Sequence, residues 1–320
     1  MEFRTIVDIP KPGFEIEPCE EILFVGSCFA NGIGQRFREE GFPVTVNPYG
    51  TMYNPVSVFH TVSKMKEMKG MKELRNAGAV ANSSFFVLHS SFKFKTVFIT
   101  LGTNHVYREK ATGEIVDNCE KRPAALFQEE ILTVDECADY LLKTVEVLSD
   151  QNPDVHVVFT VSPIRYRKYG YHESQLSKAT LLMAVERVGK GSRVQEFKGS
   201  RVQEFKGSRV QDSEGFGDAE ARHCSYFPAY EIVLDELRDY RFYAADMIHP
   251  SGQAVDYIWE RLVETYFSPR AKAFLDEWRP LKQVLAHKPF NPEAKEYQAL
   301  MDKTMLKVAE LRKKYPTFAL

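Results

Sequence analysis

The sequence predicts an α/β protein: a mostly parallel five-stranded sheet with helices on both faces, followed by a helical tail. Two observations carry this. Short apolar runs alternate with amphipathic stretches through residues 1–268, the order strand-then-helix that builds parallel sheets. The runs are also apolar at consecutive positions rather than every second one, as in strands covered on both faces.

The elements follow in order. Residues 1–20 are an irregular lead-in rich in Pro and Glu. Ile22-Leu23-Phe24-Val25-Gly26 is the first strand, and a helix over 30–40 stops at Gly41. Pro43-Val44-Thr45-Val46 is the second strand. From Pro55 to about Arg75 a helix places Val56, Phe59, Val62, Met65 and Met68 at helical spacing. Residues 96–101 form the third strand, ending at Gly102. A helix over 134–148 carries Asp135 in its first turn, where an acid suits the helix dipole. Residues 155–161 form the fourth strand, closed by Ser162-Pro163, and a helix over 174–188 follows. Residues 225–228 are a short fifth strand, and a helix over 251–266 follows His249-Pro250.

Residues 269–320 carry many Lys and Glu in helical arrays and no strand signal, which predicts two helices packed on the domain or on a partner subunit. Between the fourth and fifth strands the unit Lys-Gly-Ser-Arg-Val-Gln-Glu-Phe occurs twice from Lys190, and a partial third copy ends at Gln211. So few copies cannot build a solenoid. They predict a tandem duplication inside a surface loop over 189–221, an insertion that costs little closure entropy.

Composition narrows the function. Forty-two basic against 44 acidic residues give a net charge of -2, which lacks the basic footprint of a nucleic-acid or membrane-surface binder. With 23 Phe, 15 Tyr and 2 Trp the chain has ample material for a core. The five cysteines, at 19, 28, 119, 137 and 224, include no Cys-x-x-Cys pair, so neither a disulfide framework nor a zinc site is expected. The first residues hold an early acid and no apolar h-region, and no stretch reaches the length of a membrane span, so a cytoplasmic protein is expected.

Parallel α/β sheets bind ligands at the carboxyl ends of their strands. There the chain carries Gly26-Ser27-Cys28, Gly50, Gly102-Thr103-Asn104 and Asp246-Met247-Ile248-His249. A serine, an acid and a histidine thus stand in the order Ser, Asp, His. A serine needs a base to become nucleophilic, and the base needs an acid to orient it. Asp246 and His249, three apart, can supply that pair. Each signal has a plainer reading: Ser27 can be a helix cap, and Asp-x-x-His is a short motif. Cys28 is the rival nucleophile, since a thiolate is favoured where a helix begins, and its plain reading is a small buried residue. Asn118 is either an alternative oxyanion donor or a turn residue, since Gly113 and Asp117 mark a hairpin-like loop. His105, at a strand end, has more weight than the other histidines; Tyr107, Arg108 and Lys121 can line a pocket. Arg165 faces either a hydroxylated or acidic substrate or an ion-pair partner. A dinucleotide fingerprint fails, because Phe37 stands where the third glycine belongs.

The sequence resembles the GSCFA family, through Gly26-Ser27-Cys28-Phe29-Ala30, the 46–55 segment Val-Asn-Pro-Tyr-Gly-Thr-Met-Tyr-Asn-Pro, Leu101 to Arg108, Asp117-Asn118-Cys119, Thr160 to Arg165, 175–180, 238–243 and Asp246 to His249. That family resembles a branch of the SGNH hydrolases. The resemblance implies a flavodoxin-like three-layer α/β/α sandwich and acyl-ester hydrolysis or transfer. It implies Ser27 as nucleophile, His249 as base, Asp246 as its orienting acid, and Ser27, Gly50 and Asn104 as oxyanion donors. Cys28, His105, Tyr107, Asn118 and Arg165 are the candidate substrate-lining residues. The SGNH first block is usually Gly-Asp-Ser, and its Asp is absent here; the third is usually Gly-x-Asn-Asp, and His105 replaces the second acid. Residues 85–95 also run into the third strand without the longer helical connection expected of the family.

The expectation is a serine esterase or acyltransferase for a small acyl ester, an O-acetylated carbohydrate by analogy, with no metal or cofactor. The alternatives are a non-catalytic binding module of the same fold and a nucleotide-binding α/β protein. The serine reading predicts the Ser27 hydroxyl within about 2.6–3.2 Å of His249, or somewhat farther without ligand.

Overall fold

Strands buried on both faces organise the molecule. The computed structural model describes residues 5–75, 92, 94–191 and 224–320. Strands β1 (Ile22–Gly26), β2 (Val44–Val46), β3 (Thr96–Leu101), β7 (His156–Val161) and β8 (Cys224–Tyr226) form one sheet in the order β2-β1-β3-β7-β8, every pair parallel. Numbered within the sheet this is 2-1-3-4-5, the flavodoxin-like order, whose crevice lies between the first and third strands. The apolar runs of β1 and β3 are buried at every position. Successive side chains point to opposite faces, so each strand feeds two cores. Phe24, Phe98 and Val158 pack on one face, while Leu23, Val25, Val97, Ile99, Val157 and Phe159 pack on the other. Register keeps like with like: Phe24 lies beside Phe98 and their rings stack at 4.8 Å.

Helices α2 (Pro55–Arg75), α3 (Val134–Gln151) and α4 (Tyr171–Gly191) cover the second face. Thr133 and Glu136 begin α3 as a reciprocal capping box. Helices α1 (Cys28–Glu39) and α6 (Gly252–Tyr266) cover the first, joined by α7 (Pro269–Ala286) and α8 (Lys295–Lys314). After β8 a single helical turn, α5 (Ala229–Glu231), runs into a wide turn over Ile232–Glu236.

Three strands were not expected. β4 (His105–Glu109), β5 (Ile115–Val116) and β6 (Phe127–Ile131) make a small antiparallel sheet in the order β5-β4-β6, between β3 and α3. In β6 only Phe127 is buried, and β5 is two residues long, so neither shows the apolar signal of a core strand. Helix α4 runs through 189–191, where the repeat-bearing loop was expected to begin; the rest of that loop and the 85–91 part of the shortened connection lie outside the described residues.

The tail docks on the C-terminal end of α1. Gly41 ends that helix at φ +82, and a Cβ there would meet the Phe318 ring at 2.2 Å. The Trp278 indole donates to the Glu39 carbonyl at 3.2 Å, and Lys282 pairs with Glu40 at 2.9 Å. Phe274, Trp278, Tyr315 and Phe318 thereby join the core of Phe37 and Phe42. Trp278→Ala is expected to lower unfolding free energy by about 3–5 kcal/mol, read from urea denaturation. A loss under about 1 kcal/mol would mean that the tail adds little to this core.

Candidate active site

The site forms where β1 gives way to α1. Gly26 sits at φ +139, and a Cβ there would lie 2.1 Å from the Thr100 carbonyl, so glycine alone passes. Its N–H donates to Asn47 Oδ1 at 2.8 Å, and Asn47 itself takes φ +44. The next residue, Ser27, is the N-cap of α1 and 2% exposed. Its hydroxyl accepts from the Phe29 N–H at 3.3 Å and bonds the Thr100 hydroxyl at 3.1 Å. Among the described residues His249 is not a partner of this hydroxyl, which differs from the expected serine–histidine contact. The physical reason is the cap: α1 needs an acceptor for its unpaired first-turn N–H groups, and Ser27 is turned inward to serve it. Cys28, the first residue of α1, is half-buried, and its Sγ lies 3.3 Å from the Tyr53 hydroxyl.

The acid and the base occupy a loop that closes on itself before α6. Asp246 Oδ1 accepts from the N–H groups of Ile248 and His249 at 2.9 and 3.0 Å, and Oδ2 accepts from His249 Nδ1 at 2.6 Å. Met247 takes the left-handed φ +58 that this tight turn demands. The backbone bonds from His249 and Ile248, then the imidazole bond, hold the Asp246 carboxyl down at about 2. With Nδ1–H turned to the carboxylate, Nε2 is the basic nitrogen. Arg165, just after β7, fixes the loop from outside: its N–H reaches the Ile248 carbonyl at 3.1 Å and its guanidinium the Met247 carbonyl at 3.2 Å. The guanidinium also lies 4.3 Å from the Tyr171 ring centre. Arg165 is thus a strut of the Asp–His loop, where a substrate-lining residue was expected.

The three expected oxyanion donors are engaged inside the fold. The Ser27 N–H donates to Thr100 O at 2.9 Å, extending the β1–β3 ladder. The Gly50 N–H closes a turn on Asn47 O at 2.9 Å. The Asn104 amide donates to Leu132 O at 2.7 Å, leaving its buried Oδ1 without a partner. With these bonds the three groups hold the loops that carry them.

The remaining candidates divide. His105 is 5% exposed, donates its Nδ1–H to Glu129 at 2.8 Å and stacks on Tyr169 at 3.8 Å. Burial alone would push the Glu129 carboxyl up, but the bonds from His105 and Tyr169 hold it low. Tyr107 bonds both Tyr169 and Lys168, and Arg108 grips Glu130 with two bonds of 2.9 Å. Asn118 is an exposed turn residue whose Oδ1 accepts from the Glu120 N–H at 2.8 Å. Beside it, Asp117 anchors to α2 through His60 and Lys64, both at 2.7 Å.

Sequence reading missed two contributors, Tyr53 and Lys178. Lys178 is 2% exposed and donates to the carbonyls of Gly102 and Ser162, both at 2.7 Å, joining the ends of β3 and β7. The neighbouring Ser177 hydroxyl accepts from the Asn104 N–H at 3.0 Å. The signal was present: Lys178 stands three and seven residues before Leu181 and Val185, on the buried stripe of α4.

The sequence matches the GSCFA family over residues 21–92 and 77–262, and the C-terminal domain of GSCFA domain proteins over 278–320. The chain belongs to the GSCFA family. No curated protein is a significant match. Among solved structures, a carbohydrate esterase family 3 protein from Talaromyces cellulolyticus is 8% identical with a TM-score of 0.36, covering 81% of this chain and 99% of that one. A protein named as a GDSL-like lipase from Parabacteroides merdae is 10% identical with a TM-score of 0.38, covering 80% and 98%. Likenesses this distant say nothing of the reaction. No helix among the described residues is long and apolar enough to cross a membrane.

Burial pushes the Lys178 amine of this GSCFA chain down from 10.5 to about 7. A neutral amine has two N–H donors, matching its two carbonyl partners. Between those pH values the unfolded chain binds more protons than the folded one, so stability rises with pH across that window. Lys178→Met is expected to flatten this rise in a urea series from pH 7 to about 10. An equal rise in both proteins would count against a buried, shifted amine.

Proposed function

We propose that this protein is an acyl-ester hydrolase or acyltransferase in which Cys28 is the nucleophile, His249 the base and Asp246 the acid that orients it. The observation that carries the reading is the closed 244–249 loop. It presents a carboxylate-bound imidazole, and Arg165, in the segment after β7, holds it by the Ile248 and Met247 carbonyls. Sheets of this α/β kind bind ligands outside the carboxyl ends of their strands. A carboxylate on Nδ1 leaves Nε2 to take a proton, the requirement for general-base activation of a nucleophile.

Accessibility favours Cys28 over Ser27. The serine hydroxyl is buried and serves as a cap, whereas the thiol is half-buried and borders the tyrosines of the site. Laid from its glycine on the Gly-Asp-Ser block, the segment Gly26-Ser27-Cys28 sets Ser27 at the acid's position and Cys28 at the nucleophile's. As the first helical residue, Cys28 also has a backbone N–H that α1 leaves unpaired, available to a developing oxyanion.

In this scheme the thiol proton passes to His249 Nε2 as sulfur bonds the acyl carbon, and the carbonyl electron pair moves to oxygen. Collapse of that intermediate breaks the carbon–oxygen ester bond, and the departing alkoxide takes the proton from His249. Water or a second alcohol then attacks the thioester while giving its proton to His249, and the thiolate leaves. The substrate class is a small acyl ester, with O-acetylated carbohydrates first to be tried.

Cys28→Ala is expected to lower p-nitrophenyl acetate turnover at least about 10³-fold. Ser27→Ala should retain turnover within about tenfold and lose about 1 kcal/mol of stability with its cap. The reverse pattern, with fluorophosphonate labelling lost in Ser27→Ala, would return the nucleophile to Ser27. Absence of turnover in the unmodified protein would favour a binding module, and thermal stabilisation by NAD or ATP the nucleotide reading.

Asp246→Asn should cost about 10²–10⁴-fold in kcat, and an unchanged kcat would remove Asp246 from the scheme. Because Asp246 is held near 2, below its ordinary 3.8, its stabilising contribution is complete above the ordinary value and lost as pH falls through about 2. Activity lost on acidification well above that pH therefore belongs to another group.

A further inference from the structure

We propose that the Tyr53 hydroxyl is the side-chain donor to the reacting sulfur and, once the acyl group is bound, to its oxyanion. This rests on Cys28 as the nucleophile. Three observations support it independently of one another.

The first is contact. The Tyr53 hydroxyl lies 3.3 Å from Cys28 Sγ, within hydrogen-bond range for sulfur. The carbonyl oxygen of an acyl group attached to that sulfur is two bonds away from it. A donor touching the sulfur can therefore pass to the oxygen with a small side-chain movement.

The second is fixation. The Tyr53 carbonyl accepts from the N–H groups of Gly102 and Thr103, both at 2.8 Å, tying the residue to the end of β3. Gly102 leaves room for the ring: a Cβ there would stand 3.3 Å from Tyr53 Cδ1. On the C-terminal side Asn54 caps α2, its Oδ1 accepting from the Ser57 N–H at 2.9 Å. A donor held this way needs little reorganisation when charge develops.

The third is vacancy of the role. The Ser27 N–H, the Gly50 N–H and one N–H of the Asn104 amide each hold a carbonyl of the fold, and the Tyr53 side chain contacts the thiol. Burial, followed by the bond to Cys28, pushes the Tyr53 phenol up, which keeps it protonated as a donor.

The test uses the full chain, with Tyr53→Phe and with 3,5-difluorotyrosine at the same position should the phenylalanine variant fold poorly. Two quantities are read: the rate of Cys28 alkylation by iodoacetamide at pH 7, by peptide mass, and kcat and KM for p-nitrophenyl acetate. Tyr53→Phe is expected to slow alkylation about tenfold and to lower kcat about 10²-fold at nearly unchanged KM. The fluorinated ring, more acidic, should lose activity at a pH below that at which the native protein does. Unchanged alkylation and kcat, or an effect on KM alone, would overturn the proposal. Slowed alkylation in a protein without esterase turnover would instead retain the Tyr53–Cys28 pairing and remove the acyl-transfer reading.

Discussion

The rest of the structure depends on the passage of the chain past Thr100 at Gly26. Parallel pairing brings β1 and β3 to the same level, and at that point there is no space for a side chain between them. The backbone turns with a positive φ, and everything after it is oriented by that turn. Ser27 is directed inward, against Thr100 and the helix start, and Cys28 is carried to the rim. Which of the two neighbouring side chains is buried and which is half-exposed is thus decided by one glycine dihedral and one helix cap, both set by backbone packing.

This explains what could be read in the sequence and what could not. Strands β1, β3 and β7 were legible because strands buried on both faces read as near-continuous apolar runs, broken here only by small or terminal polar residues such as Thr100 and His156. The small sheet was not, because β4 and β6 are held by pairing to each other more than by burial, and Arg108 with Glu130 gives them a polar face. The Asp246–His249 pair was legible because a three-residue spacing in a turn lets one carboxylate hold both the backbone and the ring. Arg165 and Asn104 were legible as residues of the site region but not in role, since which group a long or branched polar side chain meets depends on distant carbonyls, those of Met247 and Leu132.

Helix α1 separates two functions of the fold along its length of about 18 Å. Its N-terminal end carries Cys28 and the first-turn N–H groups, of which that of Phe29 is capped by Ser27. Its C-terminal end carries the carbonyl of Glu39, which Trp278 satisfies, and Gly41, on which Phe318 rests. The tail thus stabilises α1 from the end at which no chemistry is proposed. Its many charges face outward while a few aromatic residues do the anchoring, which is why composition alone read it as a solvated array.

Beneath the rim, the charge arrangement is asymmetric. Asp246 is exposed and gains its low pKa from hydrogen bonds, so it is anionic over the whole working range. Lys178 is buried and loses affinity for its proton through desolvation, so near neutrality it is divided between two states. Both states can donate to Gly102 and Ser162, but the charged one has a third N–H, with the Tyr230 ring about 5.9 Å away on that side. The ends of β3 and β7 are therefore joined by a donor whose charge varies, while the Asp246–His249 loop is held by an acceptor whose charge does not. A change of pH near 7 then acts on the framework under the site before it acts on the carboxylate that orients His249.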